Sequence, residues 1–575
     1  MNEEGGIHAG QHDEFGQEFF RARHGRRMSQ PNALCHFLLD TRFWQVQSQT
    51  ITVRTYFKNK SWLLIPMLFL FLVEFIPVVF ATENSPSFIW VKQLGGTKSN
   101  SGESIAVDKT GNVYVTGQMD YESGQSIGTH EWYHKGGKVF LAKYDATGNL
   151  VWFQKFGGGS DNHAIGYGIA IDPLGNVYIT GTFSGTINFN QTKLTSAGEL
   201  DSFLAKFDPS GKLFWVKQSG GKNCFCQSYG IASDKKEGIY ITGNFVGKAA
   251  FGSDDMISRS GIEPGHNSDV FLVKYNSSSG DMVWMRQAGE AGENTGHGIA
   301  VDNNDNVYVT GRFSGGQGVY VEGKGVRLSI SFETIKITQM ENIKNTDTNG
   351  NCLFNFITKY NSDGKVLWAK PTAGRSGSYG TQNSIAINKL GHIYVAGSFD
   401  FALKFDGISL TNTVDGNDEI FLVKYDANGK VLWGRSAGGT GHDECFGVAV
   451  DDAGNSYIVG DFMDSANFGN IHLQGKPHDS RLGPSSPLIV AKYNSSGDAV
   501  WVKAVDKADG YFAQAGSVTG LGVAVATDGN IYTTGDFGGI YAPISFDQFI
   551  LKPVGNFFTG KGKDIFVAKL GTSGN

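Results

Sequence analysis

The chain has 575 residues, a formal net charge of −6 and no basic stripe, a combination that argues against nucleic-acid binding. Its 79 glycines amount to about twice the usual ~7% share. With 13% aromatic and 18% charged residues, the composition is typical of many short strands joined by tight turns. The five cysteines (Cys35, Cys224, Cys226, Cys352 and Cys445) lack zinc-site spacing, and the sequence assigns no disulfide among them.

Two segments precede the repetitive part of the chain. Residues 1–60 are polar, with mixed charge and no periodicity, so we interpret them as a disordered extension or as untranslated sequence wrongly included in the gene model. Residues 61–82 contain the apolar run Trp62–Ala81, which is just long enough to span a bilayer as a helix. Basic residues lie before this run, which predicts that the N-terminus is cytoplasmic and the repeats are outside.

The apolar run has two interpretations, and the sequence leaves both open. Val79-Phe80-Ala81 resembles the small-x-small cleavage site of a secretory signal, and a start near Val53 would make residues 53–81 an ordinary signal peptide. An uncleaved signal anchor is the alternative. The protein would then contact the membrane only through residues 62–81.

From about residue 86 onward, the chain repeats one unit, seen clearly at Gly168–Gly220. The unit contains two predicted hairpins, with Asp-x-x-Gly turns, joined by a longer Gly- and Ser-rich connection. These hairpins make one four-stranded antiparallel sheet. The four predicted strands are Ile169–Ile171, Val177–Thr180, Phe203–Phe207 and Leu213–Lys217.

The unit occurs seven times, but its landmarks are circularly permuted. Trp90 occupies a fourth-strand position before any first strand, whereas the last unit has no fourth strand of its own. The sequence therefore predicts that Phe88–Lys92 pairs beside Ile565–Lys569 and closes a ring. We predict an all-β, seven-bladed β-propeller over residues 86–575, with four-stranded blades and an insertion in the fourth blade at about 314–352. Within this insertion, Val326–Thr338 alternates well enough to form a hairpin.

Residues that recur in every blade are predicted to build the ring. They are a second-strand tyrosine, the glycine that closes that strand, a third-strand lysine and a fourth-strand tryptophan. Turns such as Asp108–Asn112 offer too few oxygen ligands for a calcium loop, which favours an Asp-capped hairpin turn. The tryptophans are predicted to fill the space between neighbouring blades.

The repeated pattern IAVD-x-x-GN-VYVTG, followed by FLAKYD-x-x-GN-LVW and GG, resembles the SBBP beta-propeller repeat. Residues 105–117 with 140–158, and 385–397 with 421–439, carry the resemblance most closely. The resemblance implies a propeller from a family found mainly in bacterial secreted and surface proteins. It implies no catalytic motif and no cofactor.

Functional residues are expected where the repeat changes from blade to blade. The residue before the opening Gly or Ser of each first strand varies and is predicted to lie at one mouth of the channel: Glu103, Tyr167, Tyr229, His297, Asn383, Phe446 and Leu521. From this position and the nearby loops, the candidate binding residues are His163, Tyr167, Tyr229, His297, His442 and Asp443. A metal site from His163, His297, His442 and Cys445 is disfavoured, because these residues belong to different blades and lack motif spacing.

The sequence favours a non-catalytic binding or scaffold module, exported or anchored at the cell surface, with an unknown protein or glycan partner. No catalytic residue, metal or cofactor is predicted, because no Ser-His-Asp, P-loop or dinucleotide motif is present. The alternatives are a lyase- or hydrolase-type enzyme at the channel mouth and adhesion through the fourth-blade insertion.

The signal-peptide interpretation predicts the first residue of the mature protein. Mass spectrometry of the exported protein should find Thr82 at its N-terminus, because cleavage would follow Ala81. An exported chain that retains residues 62–81 would contradict cleavage and support the anchor.

Overall fold

The computed structural model describes residues 85–572, apart from the short segments 97, 122–125, 128–129, 135, 160–161, 260–266, 291, 315–318, 322–324, 342–352, 372–383, 401, 415–416, 476–485, 509–515, 540–542 and 555–561. The predicted extension and the apolar run lie outside the described residues. All the regular elements within the described part are strands. That part contains no helix with the length and apolar character needed to cross a membrane.

The described residues contain forty-three strands, of which forty-two follow one another in seven groups, one group for each blade. Strand β1 (Phe88–Leu94) comes before the first group. Blade 1 contains β2 (Ser99–Val107), β3 (Val113–Tyr121), β4 (Ser126–Ile127), β5 (His130–His134), β6 (Lys138–Tyr144) and β7 (Leu150–Phe156). Blade 2 contains β8 (Ala164–Ile171), β9 (Val177–Phe183), β10 (Thr186–Phe189), β11 (Thr192–Thr195), β12 (Asp201–Phe207) and β13 (Leu213–Gly220). Blade 3 contains β14 (Phe225–Ser233), β15 (Gly238–Val246), β16 (Lys248–Phe251), β17 (Asp254–Ile257), β18 (Asp269–Asn276) and β19 (Met282–Ala288).

The remaining blades repeat this order. Blade 4 contains β20 (Asn294–Val301), β21 (Val307–Ser314), β22 (Val319–Val321), β23 (Gly325–Phe332), β24 (Ile335–Glu341), β25 (Leu353–Tyr360) and β26 (Val366–Pro371). Blade 5 contains β27 (Ser384–Ile387), β28 (Ile393–Phe399), β29 (Ala402–Phe405), β30 (Ile408–Thr411), β31 (Glu419–Tyr425) and β32 (Val431–Ala437). Blade 6 contains β33 (Glu444–Val450), β34 (Ser456–Asp461), β35 (Ser465–Phe468), β36 (Ile471–Gln474), β37 (Leu488–Tyr493) and β38 (Ala499–Lys507). Blade 7 contains β39 (Gly516–Val525), β40 (Ile531–Gly539), β41 (Ile544–Phe546), β42 (Phe549–Leu551) and β43 (Lys563–Leu570).

The seven first strands surround the axis of the ring. Each contacts the first strand of the next blade, and β39 of blade 7 contacts β2 of blade 1. Four antiparallel strands then run outward in every blade, in the order β2-β3-β6-β7 in blade 1. Side chains between adjacent blades form the core, so no single sheet holds it alone.

The ring closes as the sequence predicts. Blade 7 has the order β1-β43-β40-β39, so its fourth strand comes from the N-terminal side of the ring. In the antiparallel pair, Trp90 lies opposite Lys569 and Leu94 opposite Ile565. The predicted seven-bladed propeller with four-stranded blades is confirmed.

Neighbouring blades are joined by a hydrogen-bonded contact that recurs around the ring. In the turn before the fourth strand, which begins with Asp or Asn, one carbonyl oxygen accepts hydrogen bonds from the preceding blade; both a tryptophan and a lysine donate at four of these turns, and the lysine alone donates at Ser277 and Ala427. The Ser495 carbonyl accepts from Trp433 Nε1 at 3.1 Å and from Lys424 Nζ at 3.0 Å. The same double contact occurs at Ala146 (Trp90 and Lys569), Pro209 (Trp152 and Lys143) and Ser362 (Trp284 and Lys274).

The recurring tyrosine and aspartate support the other hairpin of each blade. The Asp172 Oδ1 atom accepts from the backbone N–H groups of Leu174 and Asn176, each at 2.9 Å, as an Asp-capped turn requires. Its Oδ2 atom accepts from the hydroxyl of Tyr178 at 3.0 Å. These turns are therefore capped hairpins, and the recurring lysine packs over the tyrosine ring, as Lys206 does 5.4 Å from the Tyr178 centroid.

A small hairpin lies between the second and third strands, and outside the fourth blade the sequence did not predict it. In blades 2 to 7 the first strand of this hairpin, which is β23 in blade 4, ends in a buried phenylalanine. These residues are Phe189, Phe251, Phe332, Phe405, Phe468 and Phe546. In blade 3 this ring lies 4.9 Å from the third-strand Phe271, and Phe251 also pairs with Ser219 of blade 2. The predicted hairpin of the fourth-blade insertion is present as β23 and β24. It is the enlarged form of this shared element, because Phe332 packs on Phe356 and pairs with Ala288 of blade 3.

The turn glycines at the blade contacts predict a measurable difference in stability. Gly497 has φ +84°, and an added Cβ would come within 2.8 Å of the Trp433 ring, whereas Gly407 has φ +80° with nothing within 4 Å. Gly407→Ala should cost about 1–2 kcal/mol from the left-handed backbone alone. Gly497→Ala should cost about 1–3 kcal/mol more, because the tryptophan must move.

Denaturant unfolding of the two variants measures this difference directly, since both carry the same backbone strain. Equal losses of unfolding free energy in the two variants would contradict a packing role for the Trp433 contact.

Candidate channel-mouth site

Six of the seven first strands contain a β-bulge at the same place within the described residues. In six blades the ladder with the second strand skips one residue, as between Gly166 and Gly168, and the skipped side chain has no cross-strand partner. Bulges redirect side chains and often lie beside functional sites. The skipped residues, which we call the bulge ring, are Glu103, Tyr167, Tyr229, His297, Phe446 and Leu521. The equivalent Asn383 lies outside the described residues.

The bulge ring lines a single cavity of about 160 Å³ on the axis. Three of the predicted binding residues, Tyr167, Tyr229 and His297, meet here. The ring centroids of Tyr167 and Tyr229 are 5.0 Å apart, and those of Tyr229 and His297 are also 5.0 Å apart. Blades 2, 3 and 4 therefore present a continuous aromatic wall.

A second layer of variable polar residues surrounds the cavity. Each residue directly follows the recurring glycine of the second strand. Its partner in the ladder is the first-strand residue two positions before the bulge, as Thr295 is for Arg312. The sequence analysis missed this layer, although counting one position past each recurring glycine would have found it. Its members are Gln118, Thr182, Asn244, Arg312, Ser398, Asp461 and Asp536.

Carboxylates are concentrated on one side of the mouth, in blades 6, 7 and 1. Glu103 accepts a hydrogen bond from the Ser101 hydroxyl at 2.6 Å, and Asp461 accepts one from Thr519 at 3.2 Å. Asp536 forms an ion pair with Lys563 at 2.8 Å. Glu444 lies opposite Asp461 in the ladder of blade 6.

Enclosure in the mouth changes the protonation of these groups. Burial, reinforced by the charge of Asp536, raises the pKa of Glu103 to about 7. Burial raises the pKa of Asp461 to about 7, and burial together with the Asp461 charge raises the pKa of Glu444 to about 8. Each carboxyl therefore holds its proton at higher pH than an exposed one.

His297 is a buried side chain of the bulge ring whose polar atoms lack hydrogen-bond partners. It is 7% exposed, and neither ring nitrogen has a hydrogen-bond partner. Burial and the nearby charge of Arg312 hold the pKa of His297 well below its usual value, so the imidazole is neutral. A neutral imidazole offers one acceptor and one donor to a molecule in the cavity.

The other predicted site residues lie outside this cavity. The Nδ1 atom of His163 is 3.2 Å from Gln118 Nε2, at the contact between blades 1 and 2. The Nδ1 atom of His442 is 3.2 Å from Asp418 Oδ2. Asp443 is fully buried and accepts from the backbone N–H of Gly439 at 2.8 Å, while burial raises its pKa to about 8.

The histidines therefore do not converge. His297 alone of the three lines the channel cavity. Within the described part of the chain, no three His, Cys, Asp or Glu side chains are placed to share a metal ion.

Comparisons with known proteins identify the repeat. Residues 89–118, 151–185 and 283–312 match the model of SBBP, described as a beta-propeller repeat. The chain is similar to an uncharacterized WD repeat-containing protein, L264, of Acanthamoeba polyphaga mimivirus, with 22% identity over 80% of this chain and 36% of that protein. It is also similar to the regulatory protein FlaEY of Caulobacter vibrioides, with 23% identity over 77% of this chain and 43% of that protein.

The chain thus spans less than half the length of these two relatives. Among solved structures, it is similar to the WD40 domain of Neurospora crassa Pan2, with 6% identity and a TM-score of 0.38 over 83% of this chain and 95% of that one.

The buried carboxyls predict how stability depends on pH. Because their pKa values are raised from 4.5 or 3.8 to about 7 or 8, the folded state binds more protons than the unfolded state in this interval. Their stabilising contribution is complete below about pH 4 and is lost as the pH rises to about 8.

Urea unfolding at a series of pH values should show this decline. Glu103→Gln and Asp461→Asn should each make the decline shallower. Variants with the same slope as the unmodified protein would show that these two groups do not titrate as the structure indicates.

Proposed function

This chain is a seven-bladed propeller built from SBBP repeats, and we propose that it is an exported, non-catalytic binding or scaffold module. In this proposal, a protein or glycan partner docks over the channel mouth and inserts one group into the cavity. The fold itself is one that commonly serves binding and scaffolding.

The bulge ring is the observation that carries the proposal. Positions with a structural task, such as Trp433 and Lys424, recur in every blade, and they form the contact between neighbouring blades at several places around the ring. The bulge positions make no such contact, and their side chains differ from blade to blade. Chemically distinct groups that meet in one cavity are a property of a binding site.

Export is supported by the sequence before the ring. Residues 62–81 are apolar, and Val79-Phe80-Ala81 has the form of a signal cleavage site. In the proposal, this segment directs the propeller out of the cytoplasm and either leaves it free or holds it at the membrane.

A pull-down from the native extracellular fraction and a glycan array, both with the full chain, test the binding role. The double variant Tyr229→Leu/His297→Leu should lose the captured partner, because it removes the rings and the polar atoms of two of the three residues in the aromatic wall. The control Ile257→Ser/Ile550→Ser alters two outer-hairpin residues that are 60% and 58% exposed, and it should retain the partner.

Retention by the channel variant together with loss by the control would place recognition on the outer hairpins. The absence of any partner or glycan for the unmodified chain would contradict a binding module.

A further inference from the structure

We propose that the channel mouth binds an organic ammonium group, held between Glu103 of blade 1, which lies beside the acidic residues of blades 6 and 7, and the aromatic wall of blades 2 to 4. This inference rests on the proposed binding function and names the chemical class of its ligand. The ammonium has two sources, a free small amine or the lysine side chain of a partner protein.

On the carboxylate side of the mouth, three acidic groups, Glu103, Asp461 and Asp536, share the charge of one lysine, Lys563. Among the described residues, Glu103 and Asp461 have hydroxyl groups as their hydrogen-bond partners, and neither forms an ion pair. Lys563 is committed to Asp536 at 2.8 Å. A ligand cation would supply the missing charge, and half-buried carboxylates bind a cation more strongly than exposed ones.

The opposite wall suits the rest of such a ligand. The faces of Tyr167 and Tyr229 attract a cation and cover its apolar carbons. His297 is only 7% exposed and lines the same cavity. Neither of its ring nitrogens has a hydrogen-bond partner. The acceptor nitrogen of its neutral ring can take one ammonium N–H. This buried, unsatisfied histidine is independent of the carboxylates and points to a ligand in the same cavity.

Arg312 sets the orientation of the ligand. It lies on blade 4, where its charge acts on both His297 and Tyr229. Repulsion from the guanidinium disfavours an ammonium directly beside Arg312, so the ammonium lies between His297 and Glu103 and the organic part extends over the tyrosines. The cavity of about 160 Å³ accommodates a side-chain-sized group, which agrees with a small amine or a single lysine side chain.

Calorimetric titration of the full chain tests the inference with two amines and their neutral counterparts. The probes are n-butylamine with 1-butanol, and Nα-acetyl-lysine methylamide with the norleucine analogue. The amines should bind and the neutral molecules should not. Loss of one charge-assisted contact in Glu103→Gln should weaken amine binding by about tenfold or more.

The matched control is Asp406→Asn. This carboxylate is 68% exposed on an outer hairpin and pairs with Lys370 at 3.0 Å, so its loss should leave amine affinity unchanged. If near-ultraviolet circular dichroism shows that Glu103→Gln is misfolded, Asp461→Asn replaces it. Binding of butylamine alone assigns a free amine as the source, and binding of the lysine derivative alone assigns a partner side chain.

Three results would overturn the inference: no binding of either amine, equal binding of amines and neutral counterparts, or unchanged affinity in both carboxylate variants. If the unmodified chain captures a partner and Tyr229→Leu/His297→Leu does not, the proposed binding function remains supported, but its ligand is not an ammonium group. If the unmodified chain binds neither an amine nor a partner, both proposals are wrong.

Discussion

A backbone carbonyl in the turn before the fourth strand joins neighbouring blades of the propeller, with both a tryptophan and a lysine as donors at four of these turns. The carbonyl of Ser495 accepts from an indole and an ammonium group of the preceding blade, and its neighbour Gly497 lies against the same indole ring. A carbonyl has two lone pairs, so this contact satisfies the acceptor fully with donors from another sheet. Since the recurring Asp, Gly, Lys and Trp all serve this contact, the repeat is conserved within the chain by the geometry of the ring, and function must use other positions.

The ring could be predicted from the sequence because its contacts repeat. Seven copies of the same landmarks give the blade number, and the displaced Trp90 gives the closure with β43. The small outer hairpins were missed because their strands are only three or four residues long in most blades, and Gly- and Ser-rich flanks hide their alternation. The buried phenylalanine at Phe251 and its equivalents was the available signal.

The candidate site could be predicted only in part. Tyr167, Tyr229 and His297 were found because each breaks the repeat beside a glycine, and the bulge turns them into one cavity. His163 and His442 break the repeat too, but their rings contact Gln118 and Asp418 at the loops. Sequence spacing does not separate these cases, because a bulge changes side-chain direction without changing residue type. The carboxylates at Asp461 and Asp536 were overlooked because they lie in the second strand, which the sequence suggested was purely structural.

The shared seventh blade also determines when the ring can exist during synthesis. Phe88 pairs with Leu570, so the first described strand of the ring pairs with the last described one. Until both are present, the two donors to the Ala146 carbonyl, Trp90 and Lys569, are not held in place, and the edges of blades 1 and 7 remain open. Closing so long a loop adds an entropic barrier that grows only slowly with its length. The ring therefore closes only when β43 is available, and a chain truncated before β43 would keep an exposed edge strand available for pairing with another molecule.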